Sequence, residues 1–245
     1  MSPAVTLHMT FIARLLVLGG PLLLASCGTP TTGGLRSVYG DRPGPKGFST
    51  VVIDAGHGGK DAGARARGLV EKQLALDIAR RLRSDLSPGF KTVLMRNSDH
   101  FVDLDHRVRT ANRYGDAVLV SIHLNYGNRR RAGPETYYWR TDSYSLAKRV
   151  QQSLFATSPY HSSAGLVRRR LRLTRNPVIP GILVECGYLT NAREARMLNS
   201  PAYRERLAEA IARAIRAQAE HGDAGMGPLP RPIYAPPSKA TDARG

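Results

Sequence analysis

The feature that most constrains the fold is an alternation of short apolar runs with longer segments of helical periodicity. The apolar runs are short and are mostly rich in β-branched residues, which is typical of buried strands. Between them apolar residues recur at helical spacing, as at Leu74, Ile78 and Leu82. The predicted strands are residues 50–53, 92–95, 117–122, 135–139 and 181–184. We therefore expect one α/β layered domain with a mostly parallel twisted sheet flanked by helices.

Three helix starts are marked by residues that can cap them. Asp103 precedes one helical pattern, and Asn191 with Glu194 has the spacing of a capping box. Ser200 precedes Pro201, a combination typical of a helix N-terminus. The remaining predicted helices span residues 71–85 and 143–155.

Residues 1–26 have the pattern of a secretory signal. Arg14 supplies a positive charge, and the apolar run that follows it is too short and too interrupted to span a membrane. The run ends in Leu24-Ala25-Ser26-Cys27, which resembles a bacterial lipobox, in which the chain is cut before the cysteine and its thiol is acylated. We expect a lipid anchor on Cys27; the alternative is an ordinary signal peptide followed by an incidental cysteine.

This signal predicts an exported chain that is anchored to a membrane and faces the periplasm or the cell wall. In a cell with two membranes Gly28 favours the outer one, since Asp is the usual retention signal at that position. Composition divides the rest into a flexible tether over residues 27–48, a domain over residues 49–220 and a disordered Pro- and Gly-rich tail over residues 221–245.

The charge balance predicts an anionic partner. Lys and Arg number 36 against 19 Asp and Glu, a net charge of +17. Export argues against nucleic acid and leaves wall polymers or anionic lipid. The densest basic runs, residues 129–131 and 168–170, either contact such a polymer or are solvated surface. Two cysteines exclude a disulfide-rich scaffold and a Cys₄ zinc module.

Chemically capable side chains follow three of the predicted strands. His57 lies in a glycine-rich turn after the first, His123 ends the middle one, and Glu185 ends the last. Glu71 opens the helix after the glycine turn. Ligands gather at the carboxyl ends of parallel strands, and two His with one Glu form a known catalytic zinc set. Singly each residue is more often structural, so the prediction rests on their convergence.

Several separated motifs add specificity because they occur in one order. They are IDAGHGG at residues 53–59, EK at 71–72, Arg107, AN at 111–112, VSIH at 120–123, Arg175, Pro180 and LVECGYLTN at 183–191. This set resembles the zinc-dependent N-acetylmuramoyl-L-alanine amidases of the amidase-3 type over residues 49–219. The resemblance implies zinc on His57, Glu71 and His123, and catalysis by Glu185. It implies hydrolysis of the amide between N-acetylmuramic acid and L-alanine of peptidoglycan, for cell-wall remodelling or daughter-cell separation.

Other assignments are less constrained. Arg175 orients the substrate or stabilises an oxyanion, or else it is an ordinary surface arginine of a basic chain. Cys186 is expected on the strand face opposite Glu185, which argues against a cysteine nucleophile. Some relatives carry a plug helix between the second His and the catalytic Glu. With 61 residues in that interval we expect no plug and no activator requirement. The alternatives are a zinc peptidase acting on stem peptides and a catalytically silent peptidoglycan-binding lipoprotein.

Overall fold

The computed structural model describes residues 1, 38–161 and 164–241. The strands are β1 (Thr50–Ala55), β2 (Arg65–Ala66), β3 (Leu69–Val70), β4 (Lys91–Leu94), β5 (Ala117–Asn125), β6 (Glu135–Tyr138), β7 (Leu166–Arg168) and β8 (Gly181–Tyr188). The helices are α1 (Glu71–Leu86), α2 (Leu104–Ala111), α3 (Tyr144–Thr157), α4 (Arg172–Arg175), α5 (Ala192–Asn199) and α6 (Pro201–His221). The predicted signal peptide and Cys27 lie outside the described residues.

One six-stranded sheet, in the order β4-β1-β5-β8-β6-β7, forms the centre of the domain. The first four strands in this order are parallel, and β6 pairs antiparallel with β8. β2 and β3 form a separate hairpin before α1. The predicted fold class, a mostly parallel α/β sheet flanked by helices, is confirmed.

Side-chain alternation along β5 divides the core between the two faces of the sheet. Val118, Val120 and Ile122 are fully buried in the larger core, which α1, α3 and α6 cover. Leu119 faces the smaller core with Leu173 of α4. Because both faces of the sheet are covered, the strands appear in the sequence as continuous apolar runs.

Two of the predicted helix starts, Asp103 and Asn191, carry side-chain caps in the structure. Asp103 accepts a hydrogen bond from the His106 amide at 2.8 Å, as expected of an N-cap. Asn191 caps α5 through the amides of Arg193 and Glu194. The Glu194 carboxylate instead accepts from the Tyr188 amide at 2.8 Å, so only half of the predicted capping box forms.

Residues 38–48 and 222–241 correct the predictions of a tether and a disordered tail. Both segments lack regular secondary structure, yet they lie against the domain. Phe48 is buried, and the carbonyls of Val38 and Ala235 accept hydrogen bonds from Arg175. Prolines remove amide donors but leave carbonyl acceptors, and buried arginines use them. Composition predicted the irregular backbone correctly and its packing wrongly.

Within the described part of the chain, every helix is too short or too polar to cross a bilayer.

Candidate active site

The carboxyl ends of β1, β5 and β8 bring the predicted site residues together. His57 follows β1 with a positive φ of 59°, unusual for a residue with a side chain. A Cβ on Gly56 would lie 2.4 Å from the His123 ring, and one on Gly63 would lie 2.6 Å from the Glu71 carboxylate. The glycines of this turn therefore permit the close approach of the three side chains.

Glu71 lies between the two histidines. Its Oε1 lies 3.0 Å from His123 Nδ1 and 3.0 Å from His57 Nε2. The carboxylate also accepts hydrogen bonds from the amides of Ala64, at 2.7 Å, and Leu124, at 3.1 Å. Burial raises the pKa of Glu71, but these histidines outweigh it and hold the pKa well below its usual range.

The cluster fits a divalent metal. One ligand atom from each of His57, Glu71 and His123 lies within 4.8 Å of the others. His57 Nε2 is buried and, within the described part of the chain, its one close polar neighbour is Glu71 Oε1 at 3.0 Å, outside regular hydrogen-bond geometry. Its other nitrogen, Nδ1, lies 2.8 Å from Asp61 Oδ2, an arrangement that orients the ring of a ligating histidine. Two imidazoles and one carboxylate form a donor set that zinc accepts.

Glu185 shares a cavity of about 110 Å³ with His57 and Glu71. It lies opposite His123 in the β5–β8 register and opposite Glu135 in the β8–β6 register. The structure thus places the predicted carboxylate at the same opening as two of the three predicted metal ligands, His57 and Glu71.

A buried ion pair stabilises the turn that carries His57. Arg107 on α2 pairs with Asp54, and donates to the carbonyls of Ala55, at 2.9 Å, and His57, at 2.7 Å. Ser121 donates to the other Asp54 oxygen at 2.6 Å. Burial raises the pKa of Asp54, but Arg107 and Ser121 together hold it below its usual range. Arg107 therefore fixes the backbone that presents His57.

Glu135, opposite Glu185 in the β8–β6 register, is a neighbour of the site that sequence reasoning did not single out. It is buried, and it accepts hydrogen bonds from the hydroxyls of Tyr137 and Tyr188, both at 2.7 Å. Asn125 donates to it at 3.3 Å and Arg131 at 3.2 Å. A Glu beginning a short strand gave no signal, because its place beside Glu185 depends on the antiparallel pairing of β6. Asp61, four residues after His57, was also missed.

Cys186 lies in the larger core and is fully buried, on the face of β8 opposite Glu185. Burial raises the pKa of its thiol well above the usual range, since the thiolate would be desolvated. The prediction that Cys186 is packed away from the site is confirmed.

The structure corrects the prediction of a catalytic Arg175. This residue ends α4, is 2% exposed, and donates to the carbonyls of Ala235 and Val38. Its guanidinium also stacks over the Tyr39 ring at 5.3 Å. It lines neither cavity at the His–Glu–His cluster. Arg175 binds the two segments that precede and follow the domain.

A second cavity of about 220 Å³ adjoins the cluster on its other side. His57 and His123 line it together with Phe101 and Val102. Thr241, the last residue that the structure describes, also lines it. The C-terminal segment thus reaches the site after crossing α4.

The fold and the cluster define the class of hydrolases that carry a metal-capable site at the carboxyl ends of parallel strands. A family model described as N-acetylmuramoyl-L-alanine amidase, Amidase_3, matches residues 51–217. The chain belongs to this family, and the predicted enzyme class, N-acetylmuramoyl-L-alanine amidase, is confirmed.

Individual relatives agree with the family match. The YqiI protein and the N-acetylmuramoyl-L-alanine amidase LytC, both of Bacillus subtilis strain 168, are each 35% identical, over 171 and 168 residues. These alignments cover 68% and 66% of this chain, 82% of YqiI and 34% of LytC. The solved structure of the amidase AmiC2 of Nostoc punctiforme is 39% identical with a TM-score of 0.65, covering 70% of this chain and 97% of that one.

Proposed function

We propose that this chain hydrolyses the amide bond between N-acetylmuramic acid and L-alanine in peptidoglycan, with Zn²⁺ as its metal. The observation that carries the proposal is the cavity that Glu185 shares with His57 and Glu71, two members of the His57–Glu71–His123 cluster. Membership in the amidase family supplies the bond, and the donor set supports the metal.

In this mechanism His57, Glu71 and His123 would hold the ion, and Asp61 orients the His57 ring. Bound there, Zn²⁺ would supply Lewis acidity, which would lower the pKa of water and polarise a carbonyl. Glu185 accepts a proton from the attacking water and then donates it to the amine of L-alanine as the C–N bond breaks. The products are a free muramoyl carboxylate and a free peptide amine.

The test is a digest of purified sacculi by the full chain, with zinc, with a chelator, and with the variants Glu185→Ala and Cys186→Ala. We expect release of stem peptides that begin with L-alanine, read by mass spectrometry. The chelator and Glu185→Ala abolish release, whereas Cys186→Ala, one residue away on the opposite face, retains it.

The other products identify the alternatives. Cleavage within the peptide, with muramic acid still attached to L-alanine, would indicate a zinc peptidase. Tight binding to sacculi without release would indicate a catalytically silent wall-binding lipoprotein. Either result contradicts the proposed amidase function.

We also propose that the protein is exported and lipid-anchored through Cys27, and acts in wall remodelling or daughter-cell separation. The support is the Leu24–Cys27 motif of the sequence. Incorporation of labelled palmitate into the full chain, and its loss in Cys27→Ser, tests the anchor. Digestion of sacculi by purified protein alone tests the predicted independence from an activator.

A further inference from the structure

We propose that a cavity formed by Arg65, Arg67 and Arg129 binds the free carboxylates of the stem peptide during cleavage. We name it the arginine cavity. The proposal rests on the proposed function and assigns a substrate-recognition role to residues that do not touch the His–Glu–His cluster.

The arginine cavity is next to the cavity that contains Glu185. It has a volume of about 340 Å³, and Tyr126 lines both it and the cavity that contains Glu185. Tyr126 is 57% exposed, so it forms part of the wall that both cavities share at the surface. A substrate peptide whose scissile amide lies near Glu185 can therefore extend past Tyr126 into the arginine cavity.

Three loops are tied together around this cavity. Arg67 lies in the β2–β3 turn with a positive φ of 54°, followed by Gly68 at 76°. Its Nε donates to the Thr190 carbonyl at 3.2 Å, which connects the hairpin to the turn after β8. The Gly127 amide, after β5, donates to the Thr190 hydroxyl at 3.3 Å. The arginines are thus carried by segments that begin at the same strand ends as the cluster.

The lining of the cavity calls for an anion. It contains three guanidinium groups and no carboxylate. The neighbouring Arg131 differs, because it pairs with Glu135 at 3.2 Å. Arg65, Arg67 and Arg129 are all exposed, so their charges are accessible to a ligand from solvent. The planar guanidinium matches a carboxylate with two parallel hydrogen bonds, which makes carboxylates the fitting class of ligand.

The chemistry of the substrate decides which side of the bond enters. The lactyl carboxyl of muramic acid is consumed in the scissile amide, and the sugar rings are uncharged. The peptide ends in a free carboxylate and can carry acidic residues. The peptide side of the bond is therefore the side that offers anions to Arg65, Arg67 and Arg129.

The probe is the dipeptide L-alanyl-D-glutamate with both carboxylates free, compared with its diamide. Neither contains muramic acid, so binding to the full chain is measured by calorimetry without turnover. We expect the acid to bind about tenfold more tightly than the diamide at low salt, the size expected of a few surface ion pairs acting together.

The variants are the triple R65Q/R67Q/R129Q and the double R65Q/R129Q, which keeps the Arg67–Thr190 hydrogen bond. We expect the preference for the acid to disappear in the triple and to fall in the double. The control R83Q/R113Q/R213Q removes three exposed arginines elsewhere and retains the preference. Equal binding of acid and diamide by the unaltered chain, or full preference in the triple, would overturn the proposal.

Digestion of sacculi by the same proteins separates the two proposals. An arginine-dependent preference without any cleavage supports the arginine cavity and contradicts the amidase function. Cleavage with a preference that survives in the triple contradicts the arginine cavity and leaves the amidase function intact.

Discussion

Two buried arginines, Arg107 and Arg175, show how differently the same side chain acts in two regions of this domain. Arg107 lies under the catalytic turn, where it pairs with the Asp54 carboxylate and donates to the His57 carbonyl. Arg175 ends α4, just before the segment that leads into β8, and among the described residues its side chain donates to the carbonyls of Val38 and Ala235. The role of each arginine is determined by its acceptors, and neither its burial nor its charge distinguishes them.

The two environments also differ in how charge is compensated. Arg107 has a buried counter-ion, and the pair is complete when both groups are ionised. Burial lowers the pKa of Arg175, and the positive charge of Arg140 lowers it further. Arg107 thus belongs to an electrostatic unit, whereas Arg175 organises irregular backbone.

The largest expected effect is that of Arg107→Met. This change leaves the Asp54 carboxylate buried without its counter-ion, which costs about 3–5 kcal/mol of unfolding free energy. It also removes the donor that holds the His57 carbonyl in place, so activity on sacculi falls as well. Urea denaturation and the release of stem peptides measure both. Arg109→Met, exposed on the same helix, is the control. The double variant D54N/R107M recovers part of the stability, and no recovery would argue against the ion pair.

Arg175→Met is expected to destabilise without affecting the chemistry. It leaves the Ala235 carbonyl without its Arg175 donor, whereas the Val38 carbonyl still accepts from Arg140 at 3.3 Å, so the cost is about 1–3 kcal/mol. The turnover number of the folded fraction stays unchanged. Urea denaturation with Arg170→Met as the exposed neighbour tests this. A loss of turnover at unchanged stability would restore the catalytic role first predicted for Arg175.

Asp61→Ala is expected to weaken metal binding with little effect on folding. The carboxylate orients His57 through Nδ1, and loss of such a partner reduces metal affinity by about tenfold or more. Titration of zinc against a competing chelator measures the affinity. Asp99→Ala serves as the control, because Asp99 contacts Gly59 and Lys72 but no candidate ligand. Equal zinc affinities of the two variants would contradict a role for Asp61 in metal binding.

The smallest expected effect is that of Asp77→Asn, which calibrates a partly exposed ion pair between α1 and α6. Burial raises the pKa of Asp77, but Arg81 and Arg204 lower it below its ordinary value of 3.8. A depressed pKa stabilises the fold above the unfolded-state value, and this contribution is lost as the pH falls. We expect a loss of about 0.5 kcal/mol at pH 7 that shrinks below pH ~4. Thermal unfolding across this range checks it, and Glu220→Gln, which is 74% exposed, is the control. A difference that is independent of pH would contradict the ionic origin.

The fold and the cluster were predictable from the sequence because each depends on strong local patterns. Apolar runs located the parallel strands, and parallel strands bring their carboxyl ends together wherever the helices lie. His57, His123 and Glu185 follow directly from that rule. Glu71 needed the additional expectation that its helix begins beside the first turn.

The remaining features depend on contacts that no local pattern encodes. Glu135 reaches the site only because β6 turns antiparallel to β8. The packing of residues 222–241 rests on side chains far away in sequence, such as Arg168 donating to the Arg231 carbonyl. The β2–β3 hairpin has two residues in each strand, too few for any periodicity to appear.

The path of the C-terminal segment has a practical consequence for handling this protein. A purification tag joined after residue 245 is separated by only four residues from Thr241, which lines the second cavity beside His57 and His123. We expect such a tag to compete with substrate for space at this second cavity. The turn between α1 and β4 is a safer place for a label, since Gly89 faces open space at the amino end of β4.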